Sequence, residues 1–285
     1  MALVGADEGT GMLQERMIDR VRQLCEADDR VVAAWMYGSF AWGEADVYSD
    51  IEFLIYLDDD AHASFEPLPW LTQIEPVAFT FVNEFGVRAA VFENMIRGEF
   101  HFEPASDMPK MREYKAMAGF PAPESMLIYD QTGELMEHLR YISGPGPEWA
   151  TKKNAAQLWH SFLNQMLFGA NVLARGERAR ALELLWFVQR YLLGMVRLLE
   201  GSTTHWMPPC REAERDLSPA SYDRYVACTA SLRGGELRIA YANAWAWGKV
   251  LGRDLATGFG FDAHDALVAR LDDRFVKVFR DTAQR

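Results

Sequence analysis

Tyr37-Gly38-Ser39-Phe40-Ala41-Trp42-Gly43-Glu44-Ala45-Asp46-Val47-Tyr48-Ser49-Asp50-Ile51-Glu52-Phe53 is the stretch on which the fold turns. It joins a small-residue turn to two spaced acids. Gly38 and Ser39 stop the apolar run Val31 to Tyr37. If a short helix opens at Phe40, their backbone N–H groups and the Ser39 hydroxyl point outward as a site for an anion such as phosphate. Asp50 and Glu52 are two residues apart at the start of a second apolar run, Ile51 to Leu57, so both project to one face while Ile51 and Phe53 project to the other. Two carboxylates on one face repel unless a cation sits between them, and a pair of Mg²⁺ ions, which prefer hard oxygen ligands, meets that need in phosphoryl-group transfer. Taken alone, Asp-x-Glu reads first as two solvated acids on an edge strand. The Gly38-Ser39 turn at this separation reverses that order.

Outward from this stretch the pattern divides the chain. Leu13, Met17, Val21 and Leu24 recur at helical spacing, predicting an amphipathic helix over 12–27. Val31 to Tyr37 and Ile51 to Leu57 have strand length. Val77 to Val82 and Val87 to Phe92 flank a Gly-containing connection of hairpin length, and Glu99 to Phe102 is a further extended candidate. The first half thus predicts a mixed sheet with flanking helices. Gly144-Pro145-Gly146-Pro147 alternates helix breakers and marks a border. Beyond it, helical patterns run over 154–175, 179–200, 221–232, 235–251 and 263–279. The prediction is an α+β chain: a catalytic domain over 1–147 and a helical bundle over 148–285 for substrate binding and dimerisation. Trp159, Trp186 and Leu185 are expected in the core of the bundle.

Composition narrows the partners. The chain has 285 residues, 49% of them apolar, with 9 Trp, enough for sizeable cores. A formal charge of -12 without a clustered basic patch argues against nucleic acid as a partner and leaves small molecules. No run reaches the length of a membrane span, and Asp7 and Glu8 stand where a secretion signal would be basic. A cytoplasmic protein without membrane contact is expected. Cys25, Cys210 and Cys228 are too few and too scattered for a disulfide framework or a structural zinc site.

The Gly-Ser turn followed by Asp-x-Glu resembles the signature of the DNA polymerase beta-like nucleotidyltransferase superfamily. More narrowly, Met36-Tyr37-Gly38-Ser39-Phe40, Tyr48-Ser49-Asp50-Ile51-Glu52-Phe53, Ile96-Arg97-Gly98-Glu99-Phe100-His101-Phe102 and Met126-Leu127-Ile128-Tyr129-Asp130 are similar to the lincosamide nucleotidyltransferases of the two-domain, dimeric type. The similarity continues through Gly169 to Leu173 and Ala181 to Leu185 and weakens after Glu200. The resemblance implies Asp50 and Glu52 as metal ligands, Ser39 beside Gly38 as the triphosphate holder, and Glu99 as the third acid, a ligand or a catalytic base. It also implies Mg²⁺, two ions, and ATP or another NTP as co-substrate. If Arg97 to Glu103 is extended, then Arg97, Glu99, His101 and Glu103 share one face, as they also would on an exposed edge strand. His101 is either a proton shuttle or a hydrogen-bonded neighbour. Asp46 and Glu44 either meet the acceptor or solvate their loop, and Lys152 and Lys153 either neutralise triphosphate or lie on the surface.

The expected activity is transfer of a nucleoside monophosphate, AMP first, from an NTP to a hydroxyl of a lincosamide antibiotic. An aminoglycoside acceptor is the alternative within the same chemistry, since a negative chain favours a polycation. A non-catalytic nucleotide-binding module that regulates a partner is the alternative outside it. A homodimer is expected from the resemblance and from the apolar helical half.

Overall fold

The computed structural model describes residues 11–280; Asp7 and Glu8 lie outside them. The chain divides into two compact units, Met1–Pro147 and Glu148–Arg285.

The first unit is built on six strands: β1 Val31–Met36, β2 Ile51–Leu57, β3 Val77–Val82, β4 Arg88–Phe92, β5 Arg97–Pro104 and β6 Leu127–Asp130, in the spatial order β3-β4-β5-β2-β1-β6. β2 runs parallel to β5 and the other neighbours are antiparallel, so the sheet is mixed. β2 is central because Ile51-Glu52-Phe53-Leu54-Ile55-Tyr56-Leu57 is apolar on both sides after its acid. Phe53, Ile55 and Phe100 on one face pack with Met17, Val21 and Leu24 of the helix Leu13–Ala27. Trp35, Leu54 and Tyr56 on the other pack with Met108, Met111, Leu135 and Leu139. The spacing did not predict β6, which has only four residues, or the 3-10 run Ala105–Ala116, whose turns do not follow the α-helical period and which carries Pro109 inside.

The second unit is helical, as the patterns predict, with Lys152–Ala174, Arg178–Glu200, Glu236–Phe259 and Asp265–Arg280 as its long elements. Trp159 and Leu185 are fully buried. Three expectations are corrected. Trp186 is not in the core: it is 49% exposed, and the Arg190 guanidinium carbon lies 4.8 Å from its ring centroid. The helix expected over 235–251 continues to Phe259 because Gly252 packs the helix rather than ending it. A Cβ there would lie 2.3 Å from the Trp159 ring. Gly260, at φ 69, supplies the left-handed cap instead. The helix expected over 221–232 is shorter, Pro219–Val226, and starts at a Ser218 cap followed by Pro219.

Candidate active site

The ends of β1, β2 and β5 bring the predicted residues onto one sheet face. Glu52 pairs directly with Glu99 across the parallel β2–β5 ladder, and the same register sets Asp50, just before β2, beside Arg97. The Tyr37 backbone N–H donates to the Glu52 carbonyl at 3.1 Å, placing Tyr37 on the other flank of Glu52. Phe100 and Phe102 turn to the opposite face, so the extended segment Arg97 to Glu103 holds its polar side chains together for the reason its alternation suggests.

Gly38 is the tightest point. Its φ of 75 and ψ of -157 fall in a region open essentially to glycine, and a Cβ there would lie 1.5 Å from Glu52 Oε2. The turn residue and the second acid of Asp-x-Glu are thus in direct contact. Ser39, half-buried, opens the short helix Ser39–Trp42, one residue earlier than the helix start considered from sequence.

Arg97 holds the acids in a way the sequence reading did not include. One guanidinium nitrogen bonds Asp50 Oδ2 and the other bonds Glu99 Oε1. Burial works against the charge of Arg97, but the bonds and charges of Glu99 and Asp50 outweigh it and raise its pKa. Its position two residues before Glu99 on the same strand face was the available signal. Asn83, in the β3–β4 turn, also donates to Glu99 Oε1 at 3.3 Å. With Arg97 between Asp50 and Glu99, no three His, Cys, Asp or Glu side chains among the described residues are gathered as a metal cage. The donor chemistry nevertheless fits a hard cation: three carboxylates on one face, two of them already drawn to a positive charge.

Burial pushes the Tyr37 hydroxyl far up, and the charges of Glu52, Glu99 and Asp50 push it further, so it stays protonated. All three acids therefore act on one phenol. His101 Nε2 lies 3.0 Å from that hydroxyl, and burial lowers the imidazole's pKa against the opposing charges of Glu103 and Glu99. His101 is neutral at pH 7 and positioned by Tyr37. Asp46 sits apart on an exposed turn, where Oδ1 accepts from the Tyr48 N–H at 2.9 Å and shapes the approach to Asp50. Gln14, buried on the first helix, fixes the same loop by donating to the Val47 and Ser49 carbonyls at 3.0 Å each, a role no local pattern announces. Glu44 is exposed beyond the Ser39 helix, and Lys152 and Lys153 are exposed in the first turn of their helix.

Residues 18–97, which hold the turn, Asp50 and Glu52, match the family model described as nucleotidyltransferase domain. The chain carries a nucleotidyltransferase domain. Residues 151–274, later in the chain, match the model described as lincosamide nucleotidyltransferase-like, C-terminal domain. Among solved structures it is similar to an aminoglycoside 6-adenyltransferase from Bacillus subtilis, at 13% identity and TM-score 0.42, covering 93% of this chain and 98% of that one. It is also similar to a nucleotidyltransferase-like protein from Exiguobacterium sibiricum, at 14% identity and TM-score 0.37, covering 85% and 77%. No curated protein matches it. No helix among the described residues is long and apolar enough to cross a membrane.

Proposed function

We propose that the nucleotidyltransferase moves AMP from ATP onto a hydroxyl of a lincosamide antibiotic, in the cytoplasm and as a homodimer. The observation that carries the chemistry is the direct pairing of Glu52 with Glu99 on the face where Asp50 also lies. The lincosamide rests on the match of the helical unit. The dimer is supported by the exposed Phe168, Trp186, Ile239 and Val250 of that unit.

Asp50 and Glu52 are the residues that would hold Mg²⁺, with Glu99 at the border of that set. Bound there, the metal would neutralise the phosphates and stabilise the attacking and leaving oxygens. The Gly38–Ser39 turn would hold the triphosphate, and the missing Cβ at Gly38 makes room for the Glu52 carboxylate against that turn. Glu99 takes the proton from the acceptor hydroxyl as its oxygen forms the new bond to the α-phosphorus and the bond to the β-phosphate oxygen breaks, releasing pyrophosphate. His101 and Tyr37, bonded to each other, form the wall beside Glu99, whose carboxylate Arg97 holds on the acid face.

Pyrophosphate release from ATP and Mg²⁺, followed with lincomycin and with kanamycin, tests the reading. Release with lincomycin is expected. Release with kanamycin alone would make the acceptor an aminoglycoside, and ATP binding without release on either would make the protein a regulatory module. Glu99→Gln is expected to lower single-turnover rates by ~10²–10⁴-fold while sparing Mg²⁺-dependent binding of a non-hydrolysable ATP analogue. Loss of that binding would recast Glu99 as a metal ligand.

A further inference from the structure

The face that carries the acids does not end at Glu99. Ala89 on β4 pairs with Glu99, and Phe81 on β3 pairs with Ala89, so Phe81, Ala89, Glu99 and Glu52 form one row across the sheet. The next row runs Phe79, Val91, Arg97, Asp50 by the same registers. Directly paired residues point to the same face, so the Phe79 and Phe81 rings stand on the side of the acids. With strands roughly 4.8 Å apart, they begin about 10 Å from the Glu99 strand. The two rings stack, with centroids 6.0 Å apart and planes at 23°, yet they remain 56% and 48% exposed. Large aromatic side chains on an edge strand bury apolar area only if something covers them. The hairpin that bears them is tied to the site, because Asn83 in its turn donates to Glu99 while its Oδ1 accepts from the Phe85 and Val87 N–H groups at 3.0 Å.

In-line displacement identifies what covers them. The nucleophile and the departing pyrophosphate lie on opposite sides of the α-phosphorus. With the phosphates at Gly38–Ser39, on the β1 side of the acids, the acceptor enters from the β4–β3 side, over Glu99, Ala89 and Phe81. Ala89 is too small to obstruct that approach. We propose that Phe79 and Phe81 form the platform for the apolar portion of an amphipathic, hydroxyl-bearing acceptor, whose hydroxyl then reaches Glu99. This rests on the reading of the site given above and sharpens its substrate class: acceptors that join a sugar hydroxyl to an alkyl or ring system are favoured over polycationic aminosugars, which offer the rings little to cover.

Phe79→Ala, Phe81→Ala, the double variant and Phe81→Leu test this by titration of lincomycin into enzyme saturated with the non-hydrolysable ATP analogue, together with acceptor KM in the pyrophosphate assay. The double alanine variant is expected to weaken lincomycin binding and raise its KM at least tenfold, with Phe81→Leu retaining most of the affinity and the ATP-analogue Kd unchanged in all four. That unchanged Kd also reports an intact fold. Lincomycin affinity and KM within twofold of wild type in the double variant would overturn the platform while leaving the transfer reading standing. The same unchanged affinity accompanied by a lower mass in solution would assign the rings to contact between two copies and equally overturn it. A wild-type protein that modifies only kanamycin would remove the acceptor class and the platform together, a result visible before any variant is made.

Discussion

Two arginines, Arg97 in the sheet unit and Arg197 in the helical unit, each meet a carboxylate, and they do opposite work. Arg197 is fully buried. Its Nε donates to the Pro209 carbonyl at 2.8 Å, and Nη2 donates to the Arg211 carbonyl at 2.5 Å. Its Nη1 lies 2.9 Å from the Ser202 carbonyl and 2.8 Å from Asp216 Oδ2. His205 Nδ1, 2.7 Å from the same oxygen, completes the group. The segment from Ser202 to Asp216, short of regular structure, is organised around one guanidinium. Arg97, by contrast, is 45% exposed and bonds Asp50 and Glu99 of the candidate site, where the proposed metal would replace its charge. A saturated, buried partner fixes a fold; a wet, replaceable one suits a site that must exchange ions.

The sharpest way to break this contrast is Arg197→Met. Removing the charge takes the guanidinium from several carbonyls and leaves Asp216 with His205 but without its arginine, and a loss of about 3–5 kcal/mol is expected in urea unfolding. An unchanged midpoint would show that the loop is held by something else. Next comes Gly38→Ala, where the backbone region alone costs about 1–3 kcal/mol and the added Cβ must displace the Glu52 carboxylate. ATP-analogue binding should fall with stability, since turn and acid move together; a stable variant with normal binding would separate Gly38 from the site.

Arg97→Gln should then show the reverse profile of Arg197→Met. Its half-exposed ion pairs predict a stability change within about 1 kcal/mol, whereas release of Asp50 and Glu99 should tighten Mg²⁺ binding by up to roughly tenfold, read by calorimetry. A large drop in melting temperature with unchanged Mg²⁺ affinity would place Arg97 with Arg197 as a structural residue. The smallest effect is one of pH. His101 is held below the ordinary imidazole value of about 6.5 by burial, so between its own pKa and that value the unfolded chain carries a proton the folded chain lacks. Stability is therefore full above that window and declines as pH falls through it. Melting curves between pH 7.5 and 5 should show the decline in wild type and a shallower one in His101→Gln.

Much of this was legible in order along the chain. The apolar run Ile51 to Leu57 and the alternation in Arg97 to Glu103 pointed to two strands with their acids on one side, because strand geometry alone fixes which side chains share a face. The helical half announced itself by period and breakers. What failed was local in form but not in cause: Gly252 looks like a stop until Trp159 is packed against it, and Trp186 looks like core until its helix face is known. No alternation reveals that Gln14 fixes the loop before Asp50.

The sequence by itself therefore determined the class of the fold, the two halves and the acids Asp50 and Glu52 as candidates, since each depends on neighbours within a few residues, while Glu99 entered through the family resemblance. Only the tertiary structure decided that β5 lies parallel beside β2, that Arg97 bridges Asp50 and Glu99, and that Phe79 and Phe81 continue the same face. The reason is sheet order. β3-β4-β5-β2-β1-β6 sets residues far apart in the chain side by side, and pairing between strands is a non-local choice made by the packing of both faces at once.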